Sequence, residues 1–396
     1  MPKYTALFFL VMFLIGTDTF LISPLLPTLQ NLFQVSTGRA GWMVGSYTLG
    51  AAAFALIAGP LSDGWNRRTV LLCGLLGFSA STILCGFAPD FWTMCLLRFL
   101  AGVSAAFAAP QVWASIPALF PPARIPKALG VVFAGLAAAQ ALGVPIGSGL
   151  AALHWSVPFW AIGGASLPVA GFAFLAMPDL KPAAGSQAAK RSVLGRYVPL
   201  LASGKARGAF LAYLFIHLGS GVSFSFLGKW LSDRFDLSVG SIGYVMIFVG
   251  LGNFAGSLVS ARISQAIGLR ATFAGAFAAL VALYLAMPHL PSAAAVAGAY
   301  FFIFTVLGTL FPLIVGLLNS LNARIRGTIS SLSTATMNAA TTLGASISGL
   351  LYARSDGYAA IGAVSACFMA LSLASFLASG ILERKQASAV LERESL

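Results

Sequence analysis

Apolar runs of about 20 residues or more recur from Tyr4 to Leu382, and the short breaks between them hold nearly all of the charge. About 20 helical residues cross the ~30 Å hydrocarbon layer of a bilayer. In lipid a span must satisfy its own backbone hydrogen bonds, so runs of this length predict transmembrane helices. The composition agrees, since 59% of the 396 residues are hydrophobic and only 8% charged, unlike a typical soluble domain. Two soluble domains would fit the length, but neither needs repeated spans matched to a bilayer.

Hydropathy and helix breakers predict twelve helices, near 4–29, 40–62, 69–88, 91–119, 128–150, 156–177, 208–228, 239–261, 271–288, 293–319, 328–352 and 359–382. The first opens like a signal peptide but lacks a small-residue cleavage site and contains Asp18, so it reads as a retained helix. Cys73, Cys85, Cys95 and Cys367 fall inside apolar spans without metal-ligand spacing and read as core thiols. The longest break, between the sixth and seventh helices, is rich in Ala, Gly, Ser and basic residues, as a linker between halves is. Its 197–202 section reads as a short amphipathic helix along the membrane surface. The expected organisation is a six-helix bundle over 1–177, a cytoplasmic linker over 178–207, a second six-helix bundle over 208–382 and a cytoplasmic tail over 383–396.

Twelve spans put both termini on one side. With the amino terminus inside, eighteen of the 23 Lys and Arg residues fall on the inner side and four on the outer, which predicts cytoplasmic termini in the plasma (bacterial inner) membrane. The formal net charge of +13 is therefore topology, together with attraction to anionic lipid headgroups, and not a signal for nucleic acid.

Two segments match 200 residues apart: Ala123–Leu150 and Ala323–Leu350 both open Ala-Arg-Ile and close on Gly-Leu. Each enters the penultimate helix of a six-helix half, so the chain reads as two pseudo-symmetric bundles with a site between them near the bilayer midplane. The stretch GPLSDGWNRR follows the predicted second helix and supplies Gly59, Leu61, Asp63, Arg67 and Arg68. With these residues the chain resembles the major facilitator superfamily, whose loop signature is Gly-x-Leu-x-Asp-Arg-x-Gly-Arg-Arg/Lys. Gly64 replaces the usual Arg and removes one cation. Asn66 replaces the usual Gly, and Asn tolerates a left-handed turn. The resemblance implies an all-α membrane protein of the major facilitator fold and a conformational latch at Gly59, Asp63, Arg67 and Arg68; an ordinary positive-inside turn is the other reading.

Of the ten acids only Asp18 lies deep in a span, where a carboxylate costs ~2.5–3.5 kcal/mol on insertion scales and must be neutral, paired or facing water. Burial disfavours its charged form and a cation favours it, so a group held between the two can load and release a proton. Arg98 is the one basic residue well inside a span. At 1.5 Å per residue Asp18 lies ~21 Å from the inner end of its helix and Arg98 ~11 Å from the outer end of its own, so the depths match and a pair is possible. Arg98, Gly102, Ala105 and Ala106 also resemble the superfamily's fourth-helix motif Arg-x-x-x-Gly-x-x-Ala-Ala, whose Arg is associated with proton transfer. Asp18 reads as a proton site or as half of a structural pair. His217, the other titratable group within a span, reads as a proton carrier or as a core hydrogen-bonder.

In the fifth helix Gly143, Gly147 and Gly149 allow close helix approach, and Pro145 removes a backbone hydrogen bond and bends the rod. Val144-Pro145-Ile146-Gly147-Ser148-Gly149 resembles the antiporter motif Gly-Pro-x-x-Gly-Gly of exporters, and the surrounding sequence resembles the arabinose-efflux-permease-like branch of the drug:proton antiporters. Phe20, Tyr47, Phe107, Gln111, Trp113, Phe224, Asn253 and Phe304 come from spans that would line a central cavity, whose aromatic walls suit amphipathic, neutral or cationic solutes. No nucleophile elbow, phosphate loop or His-rich metal site occurs, so no enzyme activity, cofactor or metal is expected. The sequence thus reads as a monomeric proton-coupled exporter of small amphipathic molecules, with a sugar or other metabolite efflux carrier, then a lipid or lysolipid transporter, as alternatives.

Overall fold

The structure, a computed structural model, describes residues 2–62, 65–121, 124–180, 197–322, 326–355 and 357–382. Asp63, most of the linker and the tail from Glu383 lie outside the described residues. Among the described residues all regular structure is helical: α1 (Pro2–Leu32), α2 (Thr37–Ala40), α3 (Trp42–Ser62), α4 (Arg67–Cys85), α5 (Phe91–Leu119), α6 (Ile125–Ala138), a π turn (Ala139–Gly143), α7 (Val144–Leu153), α8 (Val157–Ala176), α9 (Val198–Ala202), α10 (Gly204–Ser225), α11 (Leu227–Phe235), α12 (Val239–Ile267), α13 (Leu269–Ala286), a 3-10 turn (Met287–His289), α14 (Ala293–Ser320), α15 (Arg326–Arg354) and α16 (Ala359–Ala378).

Each of the twelve predicted spans has its helix. Eleven are long and apolar enough to cross a bilayer. The other, α15, has 29 residues but is rich in Ser, Thr and Asn. Many of those side chains bond back along their own helix, as Ser333 does to the Ile329 carbonyl and Thr341 to the Met337 carbonyl, so most of the span's polar groups are paired, Ser348 Oγ excepted.

Two spans depart from a plain rod. The fifth is α6, the π turn and α7 end to end. Pro145 has no N–H to donate, and just before it the helix widens, with Val144 N donating to Ala139 O across five residues. The seventh breaks at Phe226 into α10 and α11. Beside the break the Ser223 carbonyl accepts from Tyr358 Oη at 2.7 Å and Tyr300 Oη at 3.2 Å, and Trp230 stacks on Tyr358. Such donors matter in lipid, where no water replaces them.

The first six spans pack among themselves through α3 on α5, α4 on α5 and α8, and α1 on α6 and α8; the last six do so through α12 on α14, α10 on α15 and α16, and α13 on α16. The pairs α3–α5 and α12–α14 are equivalent under the sequence repeat and use the same device. A Cβ on Gly102 would strike the Tyr47 carbonyl, and one on Gly256 the Thr305 carbonyl, so bare backbones touch.

The two halves meet mainly through α3 on α15 and α7 on α12, again repeat-related, and through α1 on α11. The contacting positions lie toward the face away from the basic loops: Gly41 and Gly45 against Ala345 and Thr342, Gly243 against Pro145 and Ser148, and Gly228 against Ser23. Hydrogen bonds cross the seam between Thr48 and Thr342 hydroxyls at 2.8 Å and from Ser23 Oγ to the Phe224 carbonyl at 2.7 Å.

One expectation is corrected. Cys85 and Cys95 are buried but Cys73 and Cys367 are exposed, because in lipid an outward-facing thiol is as well solvated as a core one. Asn66 is not left-handed. It sits in extended backbone, with φ −65°, as the N-cap of α4, accepting from Arg68 N.

Candidate site: a buried ion pair beside the inter-half seam

Asp90 sets the start of α5 by accepting from Thr93 N at 3.0 Å, Thr93 Oγ1 at 2.7 Å and Trp92 N at 2.8 Å, bonds that hold its exposed carboxyl below the usual carboxylate range. Two turns on, Arg98 meets α1. Its Nη1 donates to Asp18 Oδ2 at 2.7 Å and its Nη2 to the Asp18 main-chain carbonyl at 3.2 Å. Asp18 is 0% exposed and Arg98 1%. Tyr47 of α3 covers the pair, with the guanidinium carbon 4.5 Å from its ring centroid. Gly102 makes this possible, one turn beyond Arg98, because only a residue without Cβ lets the α3 backbone at Tyr47 come so close.

The pair is incompletely satisfied, since Asp18 Oδ1 and Arg98 Nε have no hydrogen-bond partner among the described residues. A carboxylate with a spare oxygen, gripped at its other oxygen by a guanidinium, is able to take up a proton. Tyr47, expected at a cavity wall, is 3% exposed here and lies over this buried group.

His217 is not gathered with Asp18 and Arg98. It lies in the other half, stacked on Phe311 at 5.1 Å and edge-on to Tyr213 at 4.5 Å, and its Nε2 has no partner among the described residues. Phe20, Phe224 and Phe304 do come together, as an aromatic row from α1 through α10 to α14 with successive ring centroids 5.8 Å apart. Phe107 packs on Phe54, Trp113 on Phe133, and Gln111 is buried.

In the fifth span Gly143 lies against Thr17 and Gly147 against Leu21, both on α1, whereas Pro145 faces Gly243 on α12 and Gly149 meets open space. Sequence reasoning missed Gln140. It sits in the π turn, 5% exposed, and accepts from Asn253 Nδ2 across the seam at 2.8 Å. Its signal was available: it is the one polar side chain in the apolar run from Val131 to Ile146.

Of the loop motif, Gly59 lies in α3, and Arg67 and Arg68 bind within their own half. Arg67 donates to the Ala114 carbonyl of α5. Arg68 donates to the Phe174 carbonyl and lies 3.4 Å from Asp179, beyond α8. Asn66 completes the knot, donating to Asp179 at 2.8 Å and accepting from Leu180 N at 3.1 Å.

Comparison with known proteins gives the family. The Major Facilitator Superfamily model matches residues 8–321. The chain is 45% identical over 383 residues to the uncharacterized MFS-type transporter YceJ of Bacillus subtilis (strain 168), covering 97% of this chain and 98% of that protein. It is 27% identical over 254 residues to a chloramphenicol resistance protein of Streptomyces lividans, covering 63% and 64%. With multidrug resistance protein 1 of Bacillus subtilis (strain 168) it shares 34% over 140 residues, 35% and 36% of the two chains. Among solved structures it superposes on the nucleoside transporter NupG with TM-score 0.77 at 12% identity, covering 97% and 99%. On an inward-facing, occupied bacterial homolog of the human lysosomal transporter Spinster the TM-score is 0.74 at 17% identity, covering 96% of each chain. At such identities these two likenesses concern the fold alone. Twelve spans among the described residues in two repeat-related sets, a membrane-buried ion pair and these matches lead to one conclusion: the chain belongs to the major facilitator superfamily, as an integral membrane transporter and not an enzyme.

Proposed function

We propose that this protein is a proton-coupled antiporter that exports small amphipathic molecules by alternating access. The observation that carries the reading is the Asp18–Arg98 pair, deep in the span region, water-excluded, and with one carboxylate oxygen to spare. A proton on Asp18 would release Arg98, and its loss would restore the grip. The export direction draws support from the degenerate antiporter motif at Gly143, Pro145, Gly147 and Gly149 and from the drug-resistance relatives. The Phe20–Phe224–Phe304 row would give apolar cargo an aromatic surface where the halves meet.

On this reading residues 1–177 and 208–382 are the rocking bundles, 178–207 joins them in the cytoplasm, both termini face the cytoplasm of a bacterial inner membrane, and the protein acts as a monomer. The seam described above then lies on the outer side, and the conformation is inward-facing. Asp63, with Arg67 and Arg68 held ready by α5 and α8, would fasten the inner side in the opposite state.

The test is efflux from everted vesicles energised by a pH gradient, with ethidium, chloramphenicol and puromycin as probes. Asp18→Asn is expected to abolish gradient-driven movement while counterflow of the same probe persists. Undiminished gradient-driven movement in that variant removes Asp18 from the coupling.

A further inference from the structure

The π turn lies between the Asp18 segment and the opposite half. On one side it rests on α1, where a Cβ on Gly16 would meet the Ala139 Cβ at 2.8 Å and one on Gly143 would strike Thr17 Oγ1. Gly16 and Thr17 immediately precede Asp18, and Arg98 Nη2 holds the Asp18 main-chain carbonyl as well as its carboxylate. A change at the pair therefore pulls on the backbone of α1, not only on a side chain. On its other side the π turn rests on α12, where a Cβ on Gly250 would strike the backbone of Ala141. There Asn253 Nδ2 donates to Gln140 Oε1 at 2.8 Å, and Asn253 itself lies against Gly308, which leaves room for its amide.

We propose that Gln140 and Asn253 are positioning residues of the transport cycle: their amide bond, mounted on the π turn, ties the state of the Asp18–Arg98 pair to closure of the α7–α12 seam. The proposal rests on the coupling role of Asp18 given above. Three features suit the turn to this work. It is packed at a glycine against both partners, against the Thr17 side chain of α1 at Gly143 and, through the Ala141 main chain, against Gly250 of α12, so movement of α1 is passed on with little slack. It is a wide turn inside an otherwise regular span, a local geometry with a nearby α-helical alternative. Its one polar side chain makes a bond that exists only when the halves are together on that face, and in a low-dielectric seam the separated amides must find other partners.

The test is a double-mutant cycle read by the seam itself. Spin labels are placed at Ile146→Cys and Tyr244→Cys, which flank the seam and are 60% and 68% exposed, in a cysteine-free background in lipid nanodiscs. Pulsed electron resonance then gives the fractions of closed and open seam. Asp18→Asn is expected to change their ratio by about threefold or more, the scale of one hydrogen bond between membrane helices. In Gln140→Leu or Asn253→Leu backgrounds the same substitution is expected to change nothing. The exchanged pair Q140N/N253Q keeps both amides facing one another and is expected to regain the response, which separates loss of the bond from general damage. Equal shifts in all backgrounds, or no shift from Asp18→Asn in any, overturn the proposal. A non-additive cycle together with undiminished gradient-driven efflux in Asp18→Asn sinks the proton reading and leaves this one standing.

Discussion

Asp18 and Arg98 are the single residues with most at stake. Removing Arg98 leaves Asp18 without its cation, so Arg98→Ala is expected to stop coupled transport and to destabilise the protein by at most about 3–5 kcal/mol, the cost of an unmatched buried charge, which uptake of a proton by the carboxyl reduces. Arg98→Lys keeps a charge but loses the two-point grip on carboxylate and carbonyl, so it should retain stability better than activity. Thermal unfolding and gradient-driven efflux of the two variants check this, and equal losses in both would argue against the geometry. Asp18 and Arg98 were legible because charge in oil is rare and their depths agreed. Tyr47 was half legible: its aromatic character suggested a cavity wall, but its place over the guanidinium follows from Gly102 one helix away. Of Asn66 only its tolerance of a left-handed turn was legible, and that propensity says nothing of the cap and of the contact with Leu180, beyond α8, that claim it here.

The elements that matter most are the two seams, α3 with α15 and α7 with α12, in which backbone meets backbone. A leucine at Gly250 would have to occupy the space of the Ala141 main chain, so Gly250→Leu is expected to hold the α7–α12 seam apart. Thiol-reactive labels should then reach a cysteine at Ser148 from the face that is sealed in the parent, and unchanged protection would count against the seam as the seal. Helix breaks were foreseen unevenly. Pro145 announced a departure from regularity in the fifth span, but a π turn and a simple kink have the same sequence signature. The break at Phe226 has no Pro or Gly at its centre and depends on hydroxyl donors from Tyr300 and Tyr358, which are distant in the chain.

For the whole molecule, the contacts between halves gather toward one face, and the basic loops lie at the other. If Asp63 fastens that second face during the alternate state, Asp63→Ala should slow exchange of a bound probe several-fold while leaving its equilibrium affinity nearly unchanged, as stopped-flow counterflow and binding titration would read. A large loss of affinity would place Asp63 at the binding site instead.

The sequence by itself determined the solvent, the number of spans, the repeat and the sidedness of charge, because a bilayer imposes a fixed thickness and a heavy penalty on exposed backbone and on stray charge, and both act on one helix at a time. Only the tertiary structure decided which glycines become seams, that Gln140 meets Asn253, and that Arg67 and Arg68 bind within their own half. Those outcomes depend on which helix faces turn toward each other, and a run apolar on every side carries no mark of which face will be chosen.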